Sequence, residues 1–263
     1  MMAENKEGNF LIKIDKVVNG SYAFKNFLKP NDVIVALDNQ FYTYGEKQLI
    51  SDLKEIKKNQ QKAFVTILRD DIFFELRVEN SFGCKFVTTT KDETVKIKSE
   101  YSTRQIYELG DLNEYIAMRD VYRNYEIIEN SNSISAGIFP PMWLAYSQKW
   151  WVLFLFVAVM GISLTVNIFI FLLGWLLTSI YCYKAQLNLL FSFSMLEGKV
   201  FCMKMAANSM DEAQKIVRKL DPKSKFKFTR LPKPLVEEID ENKKDKDKDN
   251  KENIVDEKET VIV

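Results

Sequence analysis

Four short runs of β-branched and aromatic residues lie in the first 80 residues, each bounded by turn-forming residues. They cover residues 10–14, 32–37, 63–68 and 72–78, and runs of this composition predict strands. Between the second and third runs, Leu49, Leu53 and Ile56 recur at spacings of four and three, so they share one face of a helix. The pattern therefore predicts a small α+β module.

A long uncharged run follows in the middle of the chain. Residues 150–183 contain no Asp, Glu, Lys or Arg, and as one helix they would measure roughly 51 Å against a bilayer core of about 30 Å. Two helices fit better, separated at residues 161–167, where small and polar residues cluster. We expect the first helix to begin near Met142, after Pro140 and Pro141, and the second to cover residues 168–190.

Aromatic and basic side chains flank this run at the depth where a membrane meets water. Lysines lie at both outer boundaries, and the intervening turn has none, which favours both ends of the chain on the cytoplasmic side. The amino-terminal residues also lack the apolar core of a secretory signal. The residues expected at the membrane interface are Trp143, Tyr146, Lys149, Trp150, Tyr183 and Lys184.

The carboxy-terminal part combines one helix signal with a highly charged tail. Ser209 and Glu212 form a capping-box pattern for a helix ending near Leu220, and residues 223–228 suggest a strand. Basic residues cluster here, and we interpret them as a surface facing anionic lipid headgroups rather than nucleic acid; an ordinary solvated face is the alternative. Residues 232–263 are dominated by charge, which predicts disorder.

Composition argues against most catalytic schemes. The chain has no histidine, which removes the commonest general base and metal ligand. Its cysteines, Cys84, Cys182 and Cys202, are widely spaced, so we interpret them as reduced packing residues. No zinc-protease or nucleophile-elbow motif is present. We therefore expect no enzyme, metal or cofactor; a membrane protease and an oligomeric channel remain as alternative classes.

The order of elements in the amino-terminal module resembles a bacterial PDZ domain. Residues 18–23, Val-Asn-Gly-Ser-Tyr-Ala, and 28–38, Leu-Lys-Pro-Asn-Asp-Val-Ile-Val-Ala-Leu-Asp, match its two turn motifs, and residues 65–71 match its closing hairpin. Asn31 and Asp71 occupy two positions where the family has glycine, and both tolerate a left-handed backbone. The resemblance implies a half-open β-barrel that binds an extended peptide as an added strand. Another half-open barrel is the alternative.

The resemblance also implies a peptide groove. The loop that usually holds the ligand carboxylate would be truncated before Phe10. Residues 81–84, Ser-Phe-Gly-Cys, could replace it if the fold is circularly rearranged, and a simple connecting turn is the other interpretation. Without a groove histidine, apolar ligands are expected. The implied groove residues are Phe10, Ile12, Ile14, Leu49, Leu53, Phe82 and Gly83.

A second resemblance covers about residues 110–195. Residues 139–150, Phe-Pro-Pro-Met-Trp-Leu-Ala-Tyr-Ser-Gln-Lys-Trp, are similar to the signature of a bacterial family of small uncharacterised inner-membrane proteins, in which Phe-x-x-Pro-x-Trp-x-x-Tyr-Arg-Lys-x-Trp opens a helical hairpin. The arginine is absent here. The resemblance implies a multi-pass protein of the bacterial inner, or cytoplasmic, membrane and no particular activity.

Together these patterns predict five segments. They are a PDZ-like domain (residues 1–98), a linker with an amphipathic helix (99–138), a transmembrane helical hairpin (139–197), a small α/β segment (198–231) and a disordered charged tail (232–263). The expected function is a membrane-anchored peptide-binding or scaffolding protein, or an accessory subunit of a membrane protease or transporter complex.

The expected partners are the lipid bilayer and a protein that offers its carboxy-terminal tail or an exposed strand. The chain's own residues Val261, Ile262 and Val263 form an apolar ending of the kind that a groove without histidine would accept, so they are a further candidate ligand. Nucleic acid is not expected as a partner.

Overall fold

The structure is a computed structural model that describes residues 10–235. Residues 10–231 belong to one compact unit, and most of the tail predicted to be disordered, residues 236–263, lies outside the described residues. The described elements are strands β1 (Ile12–Val17), β2 (Val33–Leu37), β3 (Gln40–Phe41), β4 (Ala63–Arg69), β5 (Ile72–Val78), β6 (Cys84–Thr88), β7 (Asn113–Arg119), β8 (Asn124–Glu129), β9 (Val200–Ala207) and β10 (Lys225–Phe226), and helices α1 (Tyr22–Lys25), α2 (Gly45–Lys58), α3 (Lys91–Thr103), α4 (Ser135–Ile138), α5 (Pro140–Tyr146), α6 (Trp150–Val166), α7 (Ile168–Leu196) and α8 (Met210–Leu220).

The fold is mixed α/β and contains a large open sheet. Its strand order is β10-β8-β7-β9-β5-β4-β2-β1-β6, with β3 paired to β2, so β6 and β10 lie at the two edges. The amino-terminal strands join the rest through β5 and β9, where Glu75 pairs with Ala206. One sheet therefore runs through both halves of the compact unit.

The predicted strands and the predicted helix of the amino-terminal module are present. β4 and β5 form the expected hairpin, with Arg69 opposite Ile72. Asn31 and Asp71 have φ angles of 74° and 60°, the left-handed region in which Asn and Asp replace glycine at low cost. β1 begins two residues later than the predicted run and extends to Val17.

Residues 99–138, predicted to be a linker with an amphipathic helix, contain two strands of the sheet. β7 and β8 pair antiparallel, with Ile116 opposite Ile128, and the Asp120 carboxylate accepts hydrogen bonds from the backbone amides of Tyr122 and Asn124 in the turn between them. α3 crosses the predicted boundary at residue 98. Their apolar residues are consecutive at 115–118 and 127–128 instead of alternating with polar ones, so local periodicity did not predict them.

Helices cover both faces of the sheet. Helices α2 and α8 pack on one face, where Leu49, Leu53 and Val217 join the main core. Helix α3 packs on the other face of the amino-terminal strands, through Ile97 and Tyr101. The last turns of α7 pack on the face of the sheet opposite to α8. Glu126 lies on that face, because its side chain alternates along β8 with side chains that join the core next to α8.

The long helices α6 and α7 lie side by side, with only Asn167 between them. The Phe156 and Trp175 ring centroids are 5.9 Å apart, and the Asn167 side chain accepts a hydrogen bond from the Phe169 amide at the start of α7. The predicted first helix is divided, because Ser147, Gln148 and Lys149 separate α5 from α6, and Gln148 has a φ of 60°.

By length and composition, α7 is the one helix among residues 10–235 that could cross a membrane, and the apolar helix α6 is shorter. α7 begins where predicted and ends at Leu196, six residues beyond the predicted end.

Candidate functional site

The open edge at β6 combines an exposed strand with a helix beside it. Within residues 10–235, β6 pairs with β1 alone, in the register Ile14 with Phe86 and Ile12 with Thr88. An edge strand offers unpaired backbone groups on which a further strand can form. This edge is therefore the candidate peptide-binding site.

The hydrogen-bonding pattern shows which backbone groups of β6 face outward. The Thr89 amide donates to the Leu11 carbonyl oxygen at 3.0 Å, and the Ile14 amide donates away from β6, to the Asp32 carbonyl oxygen at 2.8 Å. Because bonded and non-bonded pairs alternate in an antiparallel ladder, Val87 bonds to β1. Phe86 and Thr88 then direct their backbone N–H and C=O groups to the open edge.

The turn before β6 is held against the start of α1. The Phe82 carbonyl oxygen accepts a hydrogen bond of 2.8 Å from the Ala23 amide, and the Phe82 ring is buried between Tyr22 and Phe86. Gly83 has a φ of 65°, and a Cβ there would lie 3.2 Å from the Ser21 Cβ. A side chain at this position is therefore disfavoured both by the left-handed backbone and by the short distance to Ser21.

Side chains on one face of β6 pack toward α2. Cys84 and Phe86 are half-buried and contact the core to which Leu49 and Leu53 of α2 belong. Burial, with a smaller contribution from the nearby Glu46 carboxylate, raises the pKa of the Cys84 thiol to about 12. The thiol is consequently protonated at neutral pH and serves packing rather than nucleophilic chemistry.

Five of the seven residues predicted to line a groove lie together in the main buried core, and the other two are exposed. Ile12 and Ile14 lie on β1, which is covered by β6 on one side and β2 on the other, and their side chains are buried. Leu49, Leu53 and Phe82 are also buried, whereas Phe10 and Gly83 are exposed. The open backbone edge belongs to β6 instead of β1, because β6 adds outside the predicted first strand.

A second polar site lies where the long helices meet the sheet. The Lys149 ammonium, 1% exposed, contacts the Glu126 carboxylate at 2.9 Å, the Glu197 carboxylate at 3.1 Å and the Ser194 hydroxyl at 2.9 Å. Lys199 contacts the same two carboxylates, at 2.7 and 2.6 Å. We call Glu126, Lys149, Ser194, Glu197 and Lys199 the ionic junction.

The charges of the ionic junction stabilise one another despite partial burial. Desolvation acts to raise the pKa of Glu197, but hydrogen bonds from Lys199 and Lys149 outweigh it, and that pKa lies below its ordinary value. Desolvation likewise acts to lower the pKa of Lys199, and hydrogen bonds to Glu126 and Glu197 raise it above its ordinary value. Glu197 and Lys199 are thus both charged at neutral pH.

The residues predicted at the membrane interface separate into two groups. Tyr146 is 88% exposed, and Trp150, Tyr183 and Lys184 are exposed as well. Trp143 is buried beside Cys182. Lys149, predicted to extend toward lipid headgroups, is enclosed in the ionic junction. Its carboxylate partners Glu126 and Glu197, and Lys199 that shares them, were not found from sequence, since nothing in their spacing links them to residue 149.

Two basic residues near α8 have partners within the protein, whereas Lys219, Lys225 and Lys227 are exposed. Lys215 contacts Glu212 at 2.7 Å, and the Arg218 guanidinium donates to the Ser224 hydroxyl and lies over the Phe226 ring. A neighbouring cleft of about 420 Å³ is lined by as many acidic as basic side chains: Asp71, Glu75 and Glu212 with Arg104, Lys215 and Lys219. This composition favours neither an anionic nor a cationic ligand.

Among residues 10–235, no group of three or more Cys, Asp or Glu side chains is arranged to hold a metal ion. The apolar ending at Val261, Ile262 and Val263, predicted as a ligand, lies outside the described residues.

The sequence matches no protein-family model, and no curated protein matches it.

Proposed function

We propose that this protein is a membrane-anchored binding module, without catalytic activity, that takes an extended segment of a partner protein as an added strand on β6. The observation that carries the proposal is the open edge of β6, where Phe86 and Thr88 direct their N–H and C=O groups outward. The Cys84 and Phe86 side chains of the same strand join the core that contains Leu49 and Leu53 of α2. Strand addition uses backbone groups of this kind for affinity and neighbouring side chains for specificity.

The order of elements supports a circularly rearranged PDZ-like domain. β1, β2, α2, β4 and β5 follow one another as in the resemblance, and β6, coming last, occupies the edge beside β1. The turn at residues 81–83, with its left-handed Gly83, then stands where the carboxylate-binding loop is expected. This arrangement favours the loop interpretation over a simple connecting turn.

The apolar helices supply the proposed anchor. α7 is long and apolar enough for a membrane, and only 11% of its most apolar 18-residue stretch is buried by the rest of the protein. We propose the bacterial inner membrane as its location, with the sheet on the cytoplasmic side. An accessory subunit of a membrane protease or transporter complex would use the same edge and the same anchor.

The test measures peptide binding to the full chain in detergent by fluorescence anisotropy. The probe is a labelled peptide, Lys-Glu-Thr-Val-Ile-Val, the sequence of residues 258–263, with either a free or an amidated carboxyl end. Thr88→Pro removes one outward N–H and no internal ladder bond, so we expect affinity to fall roughly threefold to tenfold, as for one lost hydrogen bond.

Thr88→Ala is the matched control, because it removes the side chain but keeps the N–H, and its affinity should equal that of the parent. Equal binding by the Pro and Ala variants, or no binding by the parent, would contradict the proposal. A requirement for the free carboxyl end would identify the turn at residues 81–83 as the carboxylate site, and equal binding of the amidated peptide would identify addition of an internal strand.

A further inference from the structure

We infer that the hairpin of α6 and α7 enters a single leaflet of the bilayer from one side, while α4 and α5 flank it in the headgroup layer. This inference rests on the anchoring part of the proposed function. It differs from the sequence-based expectation of a multi-pass protein, because it leaves the tip of the hairpin short of the water on the far side.

The uncharged, apolar surface of the hairpin indicates that lipid hydrocarbon covers it. No charged residue lies between Lys149 and Lys184, and α6 has no buried residue. Large apolar side chains are exposed on both helices near the turn that joins them, including Ile162, Leu164 and Phe169. A continuous uncharged surface of this kind on two adjacent helices suits hydrocarbon.

We define α4 and α5 as the collar. The collar packs on α7 at a distance from the end of α7 that contacts the sheet. The Phe139 ring, between the two short helices, lies 5.4 Å from the Trp175 ring. A Cβ at Gly137 would lie 3.0 Å from the Tyr183 Cβ, so α4 packs closely on that helix turn. The collar therefore flanks α7 between Trp175 and Tyr183.

The collar sets the depth that remains for the hairpin. Beyond Trp175, α7 continues to its start at Ile168, which is about 10 Å at 1.5 Å per residue. On α6, Phe156 contacts Trp175, and the remaining residues to Val166 add about 15 Å. These lengths correspond to between about one third and one half of a hydrocarbon core that is roughly 30 Å thick.

Backbone chemistry places the collar at the interface rather than in hydrocarbon. Most N–H groups of α4 and α5 donate to nearby backbone carbonyls, but the carbonyl oxygens of Ala136, Gly137 and Ile138 accept no hydrogen bond within residues 10–235. Such irregular backbone is not tolerated where it faces lipid tails. Its exposed Ile138, Met142 and Tyr146 side chains nevertheless suit a shallow position at the boundary between headgroups and acyl chains.

Three polar side-chain groups near the tip have partners inside the hairpin. The Ser163 hydroxyl donates to the Val159 carbonyl oxygen at 2.9 Å, and the Thr165 hydroxyl donates to that of Ile162 at 2.8 Å. The Asn167 side-chain oxygen accepts from the Phe169 amide at 2.8 Å. Because burying a polar group is costly mainly when it lacks a hydrogen bond, these pairings reduce the cost of a tip near the bilayer centre.

The test places spin labels at the tip and on the collar. Cys84, Cys182 and Cys202 are replaced by alanine in the full chain, and Val166→Cys or Met142→Cys is added; both target side chains are exposed. The protein is reconstituted into vesicles of phosphatidylcholine and phosphatidylglycerol. We expect the label at residue 166 to collide with oxygen and not with a water-soluble nickel chelate, and the label at residue 142 to collide with the chelate.

The outcomes separate this inference from the proposed anchor. The protein is added to the outside of vesicles that contain a trapped, membrane-impermeant maleimide. Reaction of the Val166→Cys thiol with this maleimide would show that the hairpin crosses the bilayer. That result would overturn the one-leaflet inference but not the membrane anchor. Protection of the label in the Met142→Cys variant from the external chelate would also overturn it, because the collar would then be in hydrocarbon. Failure of the parent chain to float with vesicles would overturn the anchor itself.

A measurement without cysteine replacement guards against misfolding of those variants. Trp175 fluorescence is isolated as the difference between the parent and Trp175→Phe, in vesicles containing lipids brominated near the headgroup or near the acyl end. We expect stronger quenching by the shallow bromines, since Trp175 lies at the level of the collar. Stronger quenching by the deep bromines would contradict one-leaflet insertion.

Discussion

Lys149 shows how one charged side chain can join the apolar helices to the sheet. It lies just before α6, its carboxylate partners come from β8 and from the residue after α7, and both are shared with Lys199. Removing one member of a buried ion pair leaves an uncompensated charge, which costs far more than loss of an exposed pair. The ionic junction therefore fixes the base of the hairpin.

We predict that Lys149→Met lowers the free energy of unfolding in detergent by on the order of 3 kcal/mol, because Glu126 and Glu197 lose their most buried partner. Lys96→Met is the matched control: Lys96 is exposed and its contact with Glu100 is 3.7 Å long, so its loss should cost below about 0.5 kcal/mol. Chemical denaturation of both variants measures the difference. Similar losses in the two would mean that the junction is not stabilising.

The ionic junction also predicts the pH range of its stabilisation. The folded-state pKa of Glu197 lies below its ordinary value of 4.5, so its contribution is complete above that value and is lost as the pH falls through the folded pKa. The folded-state pKa of Lys199 lies above its ordinary value of 10.5, so its contribution is complete below 10.5 and is lost at more alkaline pH.

We therefore expect a stability plateau between these limits, measured as the denaturation midpoint against pH. Glu197→Gln should flatten the acid side of the profile and leave the alkaline side, to which Lys199 still contributes through Glu126, more similar to the parent. An unchanged acid slope in that variant would argue against the linkage.

Helix α3 is the element that encloses the second face of the amino-terminal strands. Its start carries a capping box in which the Thr90 hydroxyl accepts from the Glu93 amide at 3.2 Å and the Glu93 carboxylate accepts from the Thr90 amide at 3.0 Å. Ile97 and Tyr101 then pack against β2 and β4. The cap thus acts on a helix whose packing completes this part of the core.

We predict that Thr90→Ala destabilises the protein by about 1 kcal/mol, the usual effect of losing a helix amino-terminal cap. Thr103→Ala, at the exposed last residue of α3, is the control and should change stability by less than about 0.5 kcal/mol. Thermal unfolding in detergent would distinguish them. Equal effects would show that the cap does not determine the stability of α3.

At the same scale, the sequence predicted those elements that local chemistry determines. Leu49 and Leu53 share a helix face, Asn31 and Asp71 occupy left-handed turns, and Ser209 caps α8 as expected from its spacing to Glu212. β6 and the β7–β8 hairpin depend on pairings with strands distant in sequence, which periodicity does not report. The same reason explains why Ile12 and Ile14, predicted to line the groove, are covered by β6.

The two halves of the compact unit depend on one another through Glu75. This residue lies on β5 opposite Ala206 of β9, and its buried carboxylate contacts the Arg104 guanidinium at 2.5 Å and accepts a hydrogen bond from Thr66 at 2.8 Å. Arg104 belongs to the segment between α3 and β7. One carboxylate therefore links the amino-terminal strands to the chain that leads into the hairpin-bearing half.

We predict that Glu75→Gln, which preserves shape but removes the charge, lowers the free energy of unfolding by roughly 3 kcal/mol, because Arg104 keeps a buried charge without its carboxylate. Glu100→Gln, in the exposed pair with Lys96, should change it by less than about 0.5 kcal/mol. Hydrogen exchange would show weaker protection in both β4 and β7 of the first variant, because the halves share one sheet. Loss confined to the amino-terminal strands would instead mean that the halves are stabilised independently.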